Sequence, residues 1–363
     1  MRKREKKLFT SGLFIGLAVA AAVVFALGAV IVGQQRRIKN LETGVPSDIT
    51  IEAAAGTASP TPESTAQAEP SPSPAPTPEP TPDYSFFWFT DTQYYSAKYP
   101  ESLMRMTEWM AENAAEYNAK YAFFTGDFVD DSGSGEQWRI LSDAVAVLEK
   151  ELDIFAIAGN HDVGSKVNYD NYLKYYGAKH FEENGNVTAW YKGGIGRCDI
   201  VDIDGTRYMF LGVGYGKEAS AVSWLNEQLA ANPDCSAILF FHDYLTTEGL
   251  LSETGKLLYN KVVKKNSNVF MVLCGHRYNC AMLTADIDDD GDKLKDRTVY
   301  QIMLNYQYFE EGGRGYLAII SVYRDLGQIR IDTYSPIYDD WYYFDPDMEF
   351  AKERLVLPVR IFD

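Results

Sequence analysis

Histidine and cysteine are scarce, with four of each among 363 residues. Cys198, Cys235, Cys274 and Cys280 show no zinc-type spacing, which excludes a cysteine-ligated zinc module. They read as buried free thiols, with a Cys274–Cys280 pair as the alternative. No glycine-rich phosphate loop of the P-loop or dinucleotide type occurs, and no internal repeat. Basic charge is short everywhere except at the start. Residues 1–39 carry eight Lys or Arg against Glu5, a sum of +7, so the total of −17 leaves −24 on the remainder. A body that acidic excludes nucleic-acid binding by phosphate neutralisation. Aromatics are not short: at 14%, with 25 Tyr and 19 Phe, they supply a large core.

The chain divides by composition. Residues 1–7 are a basic tail with Arg2, Lys3, Arg4, Lys6 and Lys7. Residues 8–35 contain no charge and are long enough to cross a hydrocarbon core, which takes about 20 apolar residues. They are expected to form an uncleaved transmembrane signal-anchor, since the apolar region of a cleaved signal is about 7–15 residues. Secretion after cleavage is the alternative. The denser basic cluster precedes the span, which places residues 1–7 in the cytoplasm and the body outside the cell membrane in a single-pass arrangement. Residues 36–83 are rich in Pro, Ser and Thr, as in Ser71-Pro72-Ser73-Pro74, and read as a disordered stalk. The body is residues 84–363.

Within the body, five polar clusters each end an apolar run. Asp91-Thr92-Gln93 follows Phe86–Thr90, and Gly126-Asp127-Phe128-Val129-Asp130 follows Tyr121–Thr125. Gly159-Asn160-His161-Asp162 follows Ile154–Ala158, His242-Asp243 follows Ala237–Phe241, and Gly275-His276 follows Val269–Cys274. Helical spacing between the runs (Leu103, Met106, Met110, Tyr117; Trp138, Leu141, Val145, Leu148, Leu152) predicts βαβ units. Further helices are expected near 220–231 and 253–265. Antiparallel strands are expected near 187–216, with Asp204-Gly205 as a hairpin turn, and further strands after residue 297. Parallel strands ending in Asp, Asn, Gln and His gather those side chains at one sheet edge, where ligand sites form. Hard oxygens and imidazoles together suit a pair of divalent metals.

The ordered set of five motifs resembles the calcineurin-like metallophosphoesterase superfamily, in a branch with an Asp-x-Gln first motif, from about Phe86 to Tyr278. The resemblance implies a four-layer α/β/β/α sandwich of two mixed sheets. It also implies a dinuclear site that hydrolyses phosphate esters by attack of metal-bound hydroxide. By the same resemblance Asp91 and Gln93 hold the first metal, Asp127 bridges, and Asn160, His242 and His276 hold the second. His161 stands beside the substrate phosphate as the catalytic imidazole, Asp162 orients it, and Asp130 supports a ligand. His180, outside every motif, reads as an ordinary surface or core residue.

Two positions depart from the family. Gln93 replaces a His common in relatives and offers only a neutral amide oxygen. Tyr278 stands where the last motif usually has a second His, in Gly275-His276-Arg277-Tyr278, and is left to face substrate, to pack, or to ligate as a phenolate. The first site is therefore expected to be weaker or to prefer a hard ion; the pair is expected to be Mn, Fe or Zn. Arg277 is a candidate phosphate contact. The segment Asn305-Tyr306-Gln307 to Gly312–Tyr316 is expected to return to the metal edge and shape the pocket. Asp286, Asp288, Asp290 and Asp292 imitate the start of a calcium loop, without its bidentate Glu, and otherwise read as a solvated hairpin tip. Two rival functions stand beside ester hydrolysis. One is a stalked binding module with a decayed first site. The other is a hydrolase of nucleotide or pyrophosphate anhydrides.

Overall fold

The computed structural model describes residues 79–183, 185–342 and 353–361. The basic tail, the apolar segment 8–35 and nearly all of the stalk 36–83 lie outside the described residues. Among the described residues no helix is long and apolar enough to cross a membrane.

The chain first builds β1 (Tyr84–Phe89), α1 (Gln93–Lys98), α2 (Pro100–Asn113), β2 (Ala119–Phe124), α3 (Gly135–Leu148), β3 (Asp153–Ala156), α4 (Asn160–Val163) and α5 (Asp170–Tyr176). It continues through β4 (Val187–Tyr191), β5 (Gly196–Ile203), β6 (Thr206–Val213), α6 (Glu218–Ala231), β7 (Ser236–Phe240), α7 (Glu253–Lys261) and β8 (Val269–Cys274). Last come β9 (Asn279–Ile287), β10 (Arg297–Asn305), β11 (Leu317–Tyr323), β12 (Gln328–Ser335), β13 (Asp340–Trp341) and β14 (Leu355–Pro358).

One sheet runs β13-β12-β11-β1-β2-β3, with β14 also on β12; the other runs β4-β5-β6-β7-β8-β10-β9. Both are mixed. β1, β2 and β3 are parallel to one another, while β1 meets β11 antiparallel. In the second sheet β6, β7, β8 and β10 are parallel, flanked by antiparallel β5 and β9.

Side-chain alternation along each strand separates the layers. Phe86 and Trp88 pack with Phe123, Phe210 and Phe240 in a core shared by the two sheets. Phe87 and Phe89 point the other way, against Leu103 and Met110 of α2 and Leu141 of α3. Met209 and Leu211 likewise leave the shared core to pack on Leu225 of α6 and Leu258 of α7. Helices thus cover both outer faces, as expected. Each fully buried aromatic of the shared core contributes about 1.5–3 kcal/mol of transfer free energy.

Local chemistry sets the element ends. The Ser134 hydroxyl accepts from Gln137 N at 3.3 Å and caps α3, satisfying one otherwise orphaned donor. Asp204 and Gly205 take φ of 47° and 83°, the pair of left-handed residues that a tight hairpin between β5 and β6 demands. Helix α2 ends at Asn113, before the expected Tyr117, because the chain must turn at Asn118 (φ 45°) to enter β2. Strand β9 has no counterpart in the sequence reading. It pairs antiparallel with β10, so the acidic run from Asp288 is the tip of a hairpin. All four cysteines are free and buried.

Candidate metal centre

The polar clusters meet where the two sheets abut. Asp91, Asp127 and Asn160 follow β1, β2 and β3 of one sheet; His242 and His276 follow β7 and β8 of the other. His242 Nε2 lies 3.2 Å from Asp127 Oδ2 and 3.1 Å from Asn160 Oδ1. The main-chain N–H of His276 donates to Asp91 at 3.1 Å. Donor atoms of Asp127, His242 and His276 all lie within 4.8 Å of one another. Asp91, Asp127 and His276 adopt φ of 54°, 55° and 70°. Such left-handed conformations cost on the order of 1–3 kcal/mol each and gather at functional sites.

Glycines clear the space that these carboxylates occupy. A side chain at Gly159 would collide with Asp127 Oδ1, and one at Gly275 with Asp91 Oδ2. Gly275→Ala should therefore leave the two-sheet core folded and displace the Asp91 carboxylate. The expected outcome is an unchanged far-ultraviolet spectrum with a loss of roughly 10–100-fold in affinity for one divalent ion, measured by calorimetric titration.

The neighbours of each group decide its protonation. Burial and the Asp127 charge push the Asp91 carboxyl up to about 7. Burial would also raise Asp127, but the charge and hydrogen bond of His242 outweigh it and hold Asp127 below its ordinary value. Burial alone would lower His242; the Asp127 charge and hydrogen bond reverse this and raise it to about 10. His276 is lowered to about 3, by burial and then by the charges of His242 and Arg277, and so offers a neutral imidazole.

His242 Nδ1 sits 2.7 Å from the carbonyl oxygen of Thr125. That carbonyl accepts the Nδ1 proton and leaves Nε2 as the atom aimed at Asp127 and Asn160. A divalent cation fits here because it replaces the Nε2 proton between two oxygens that already converge on it. The pH dependence follows. Below pH 6.5 His242 is protonated folded or unfolded; between 6.5 and about 10 only the folded chain keeps that proton. This stabilisation is complete below pH 6.5 and is lost as pH rises through about 10. The melting temperature of the chelator-treated chain should fall across that window, and a saturating divalent cation should abolish the fall.

The catalytic candidates are arranged differently from expectation. Asp162 was expected to orient the His161 imidazole. Its buried carboxylate instead accepts from the main-chain N–H of Phe128 (2.7 Å), Val129 (3.2 Å) and Gly159 (2.7 Å), tying the loop after β2 to the loop after β3. Burial and the Asp127 charge push its carboxyl up to about 7 against the pull of those donors. Asp130 holds the imidazole: His161 Nδ1 lies 3.0 Å from its carbonyl oxygen and 3.3 Å from its carboxylate. His161 N donates to Asp127 Oδ1 at 2.8 Å, which also fixes the bridging candidate. Burial would lower the His161 imidazole; the Asp127 charge and the Asp130 carbonyl outweigh it and raise it.

Gln93, expected as a ligand of the first metal, is fully buried with its amide engaged by the side chain of Gln307 and the main-chain oxygens of Asp91 and Asp127. Tyr278 is 46% exposed and packs its ring on Tyr308, 4.0 Å between centroids. Arg277 is exposed at the same turn. His180 pairs with Glu149, away from the centre. In the acidic hairpin, Asp288 and Asp290 approach each other together with Asp296. Asp286 is turned to Thr298 and Lys295, and Asp292 accepts from Leu294 N.

Two contributors carried no assigned role in the sequence, although Gln307 opens the segment expected to return to the metal edge. Thr90 donates its hydroxyl to Asp91 Oδ2 at 2.7 Å, and Gln307 lies 3.3 Å from Asp91 Oδ1. The signal for Gln307 was present: it follows β10, which is parallel to β8 and ends at the same edge. A cleft of about 530 Å³ opens beside the centre, lined by Asp130, Asn160, His161, Val167 and Tyr215.

The family described as calcineurin-like phosphoesterase matches residues 84–280. The chain is 38% identical over 276 residues to an uncharacterized protein, YvnB, of Bacillus subtilis (strain 168). That alignment covers 76% of this chain and 21% of YvnB, so the chain spans about a fifth of that relative's length. Among solved structures, a purple acid phosphatase, PPD1, from yellow lupin (Lupinus luteus) seeds superposes with TM-score 0.48 at 12% identity, covering 72% of this chain and 54% of that one. GAP50, described as the anchor in the inner membrane complex of Plasmodium, gives 0.46 at 12% identity, covering 76% and 89%.

Proposed function

The chain belongs to the calcineurin-like phosphoesterase family, and from that premise we propose that it hydrolyses phosphate esters at a pair of divalent cations held where its two sheets meet. The observation that carries this reading is the convergence of Asp127, His242 and His276 donor atoms within 4.8 Å, with buried Asp91 alongside. Two cations there would polarise phosphoryl oxygens and lower the pKa of water toward neutrality. Asp127 would be shared by the two positions, Asp91 would serve the first, and Asn160, His242 and His276 would serve the second.

The other residues position and protonate. His161 lines the cleft and keeps its Nδ1 on Asp130, which reserves Nε2 to protonate the departing alkoxide. Asp162 holds the His161 and Asp127 loops in register through three main-chain donors.

The test is hydrolysis of aryl phosphate mono- and diesters by the purified full chain, with Mn²⁺, Fe²⁺, Zn²⁺ or Mg²⁺ and with chelator. Metal-dependent turnover is expected. A folded chain inert with every ion would overturn the reading and favour the binding module.

We further propose that residues 8–35 anchor the chain in the cell membrane with the body outside. An uncharged run of that length behind five basic residues supports this. Intact cells treated with protease should lose the body; its survival would place the body inside.

A further inference from the structure

Gln307 has no part in the sequence motifs, yet it is 8% exposed and touches both Asp91 and Gln93. Its main chain is tied to β10: its N–H donates to Asn305 Oδ1 at 2.9 Å, and Asn305 is itself fully buried at the end of that strand. The two ends of each amide are distinguished by what they face.

In one orientation Gln307 Nε2 donates to Asp91 Oδ1 at 3.3 Å and Gln93 Nε2 donates to Gln307 Oε1. The Gln93 oxygen is then pressed against two acceptors, the main-chain oxygens of Asp91 and Asp127. Reversing Gln93 lets its nitrogen donate to those oxygens at 2.7 and 3.2 Å, and turns its own oxygen to Gln307. Gln307 must then reverse as well, so that its nitrogen donates to Gln93. Its oxygen now faces Asp91 Oδ1 across 3.3 Å.

Two oxygens face to face in a buried site repel unless a proton or a cation joins them, and a divalent cation that binds there takes the place of the proton. Adjacent oxygen ligands of an octahedral divalent ion lie about 3 Å apart, close to this separation.

We propose that Gln307 supplies an amide oxygen to the first cation beside Asp91, standing in for the histidine that Tyr278 replaces, and that Gln93 positions it. The inference rests on the two-cation reading above. Tyr278 is turned to Tyr308 at the surface, and Gln307 reaches the same edge from the next parallel strand. The coordination is then all oxygen on the first side, which selects a hard ion such as Mn²⁺.

The test is Mn²⁺ titration of the chelator-stripped full chain, with bound ions counted by paramagnetic resonance. The wild-type chain should bind two ions with a spin-coupled signal. Gln307→Ala should lose the coupled signal and weaken one ion by about tenfold or more, leaving the other unchanged. Gln307→Glu keeps an oxygen at the same place and adds charge, so it should keep both ions and bind the first more tightly. Loss of the first ion in a folded Glu variant would overturn the inference. Gln307→Ala with two ions at wild-type affinity would also overturn it while leaving the two-cation reading intact. A wild-type chain that takes only one ion would overturn both. Melting curves of the metal-free variants identify any that do not fold, in which case Gln307→Glu carries the test.

Discussion

On the proposed two-cation reading, Asp127→Asn should abolish turnover and weaken binding of the paired cations. Asp127 is 1% exposed, with His161 N on one oxygen and His242 on the other. Asn keeps that volume and removes the charge, so the fold has no steric reason to fail. The bridging position loses its second anionic oxygen, and an amide nitrogen must face either the His161 N–H or a cation. Removing a group merely behind a metal ligand costs 10–100-fold in affinity; losing the bridge itself should cost more than about 100-fold for at least one ion. Calorimetric titration of wild-type and variant chains measures this directly. An Asn variant that still binds two ions at wild-type affinity and turns over would remove Asp127 from the bridge.

His161→Gln should separate chemistry from metal binding. The imidazole reaches Asp130 through Nδ1, and its main-chain N–H, which Gln retains, holds Asp127. Cation number and affinity should therefore stay at wild-type values. Turnover of an alkyl phosphate ester should fall by about 10²–10⁴-fold, the usual worth of a positioned general acid. With a nitrophenyl ester the loss should be much smaller, because that leaving group departs without a proton. An equal loss with both esters would point to phosphate binding rather than proton donation. The Asp130 contacts and the Asp127 charge raise the His161 imidazole, so the acid form persists to higher pH than in a free histidine. The basic limb of the pH–rate profile should vanish in the variant.

The parts of this architecture legible in the sequence are those set by local rules. Phe86–Thr90 and Tyr121–Thr125 announce buried strands by continuous apolarity, and the acids that follow them mark the sheet edge. The stripe Trp138, Leu141, Val145 and Leu148 gives α3, and Asp204-Gly205 gives the β5–β6 turn. Strand β9 escaped because its outward side chains alternate with residues that pack only once β10 lies beside it. The part played by Asp162 escaped for a related reason. Its partners are main-chain N–H groups, which every residue carries, so no side-chain pattern records them.

By itself, then, the sequence determined which strands end in ligand-type side chains and which helices cover them, because apolar period and turn chemistry act over a few residues. Tertiary structure alone decided that His242 meets Asp127 across two sheets, that Asp130 rather than Asp162 holds His161, and that Gln307 comes to lie on Asp91. Those contacts join residues 31 to 216 positions apart. They exist because the shared aromatic core of Phe86, Phe123, Phe210 and Phe240 brings the two sheets together and holds their edges level.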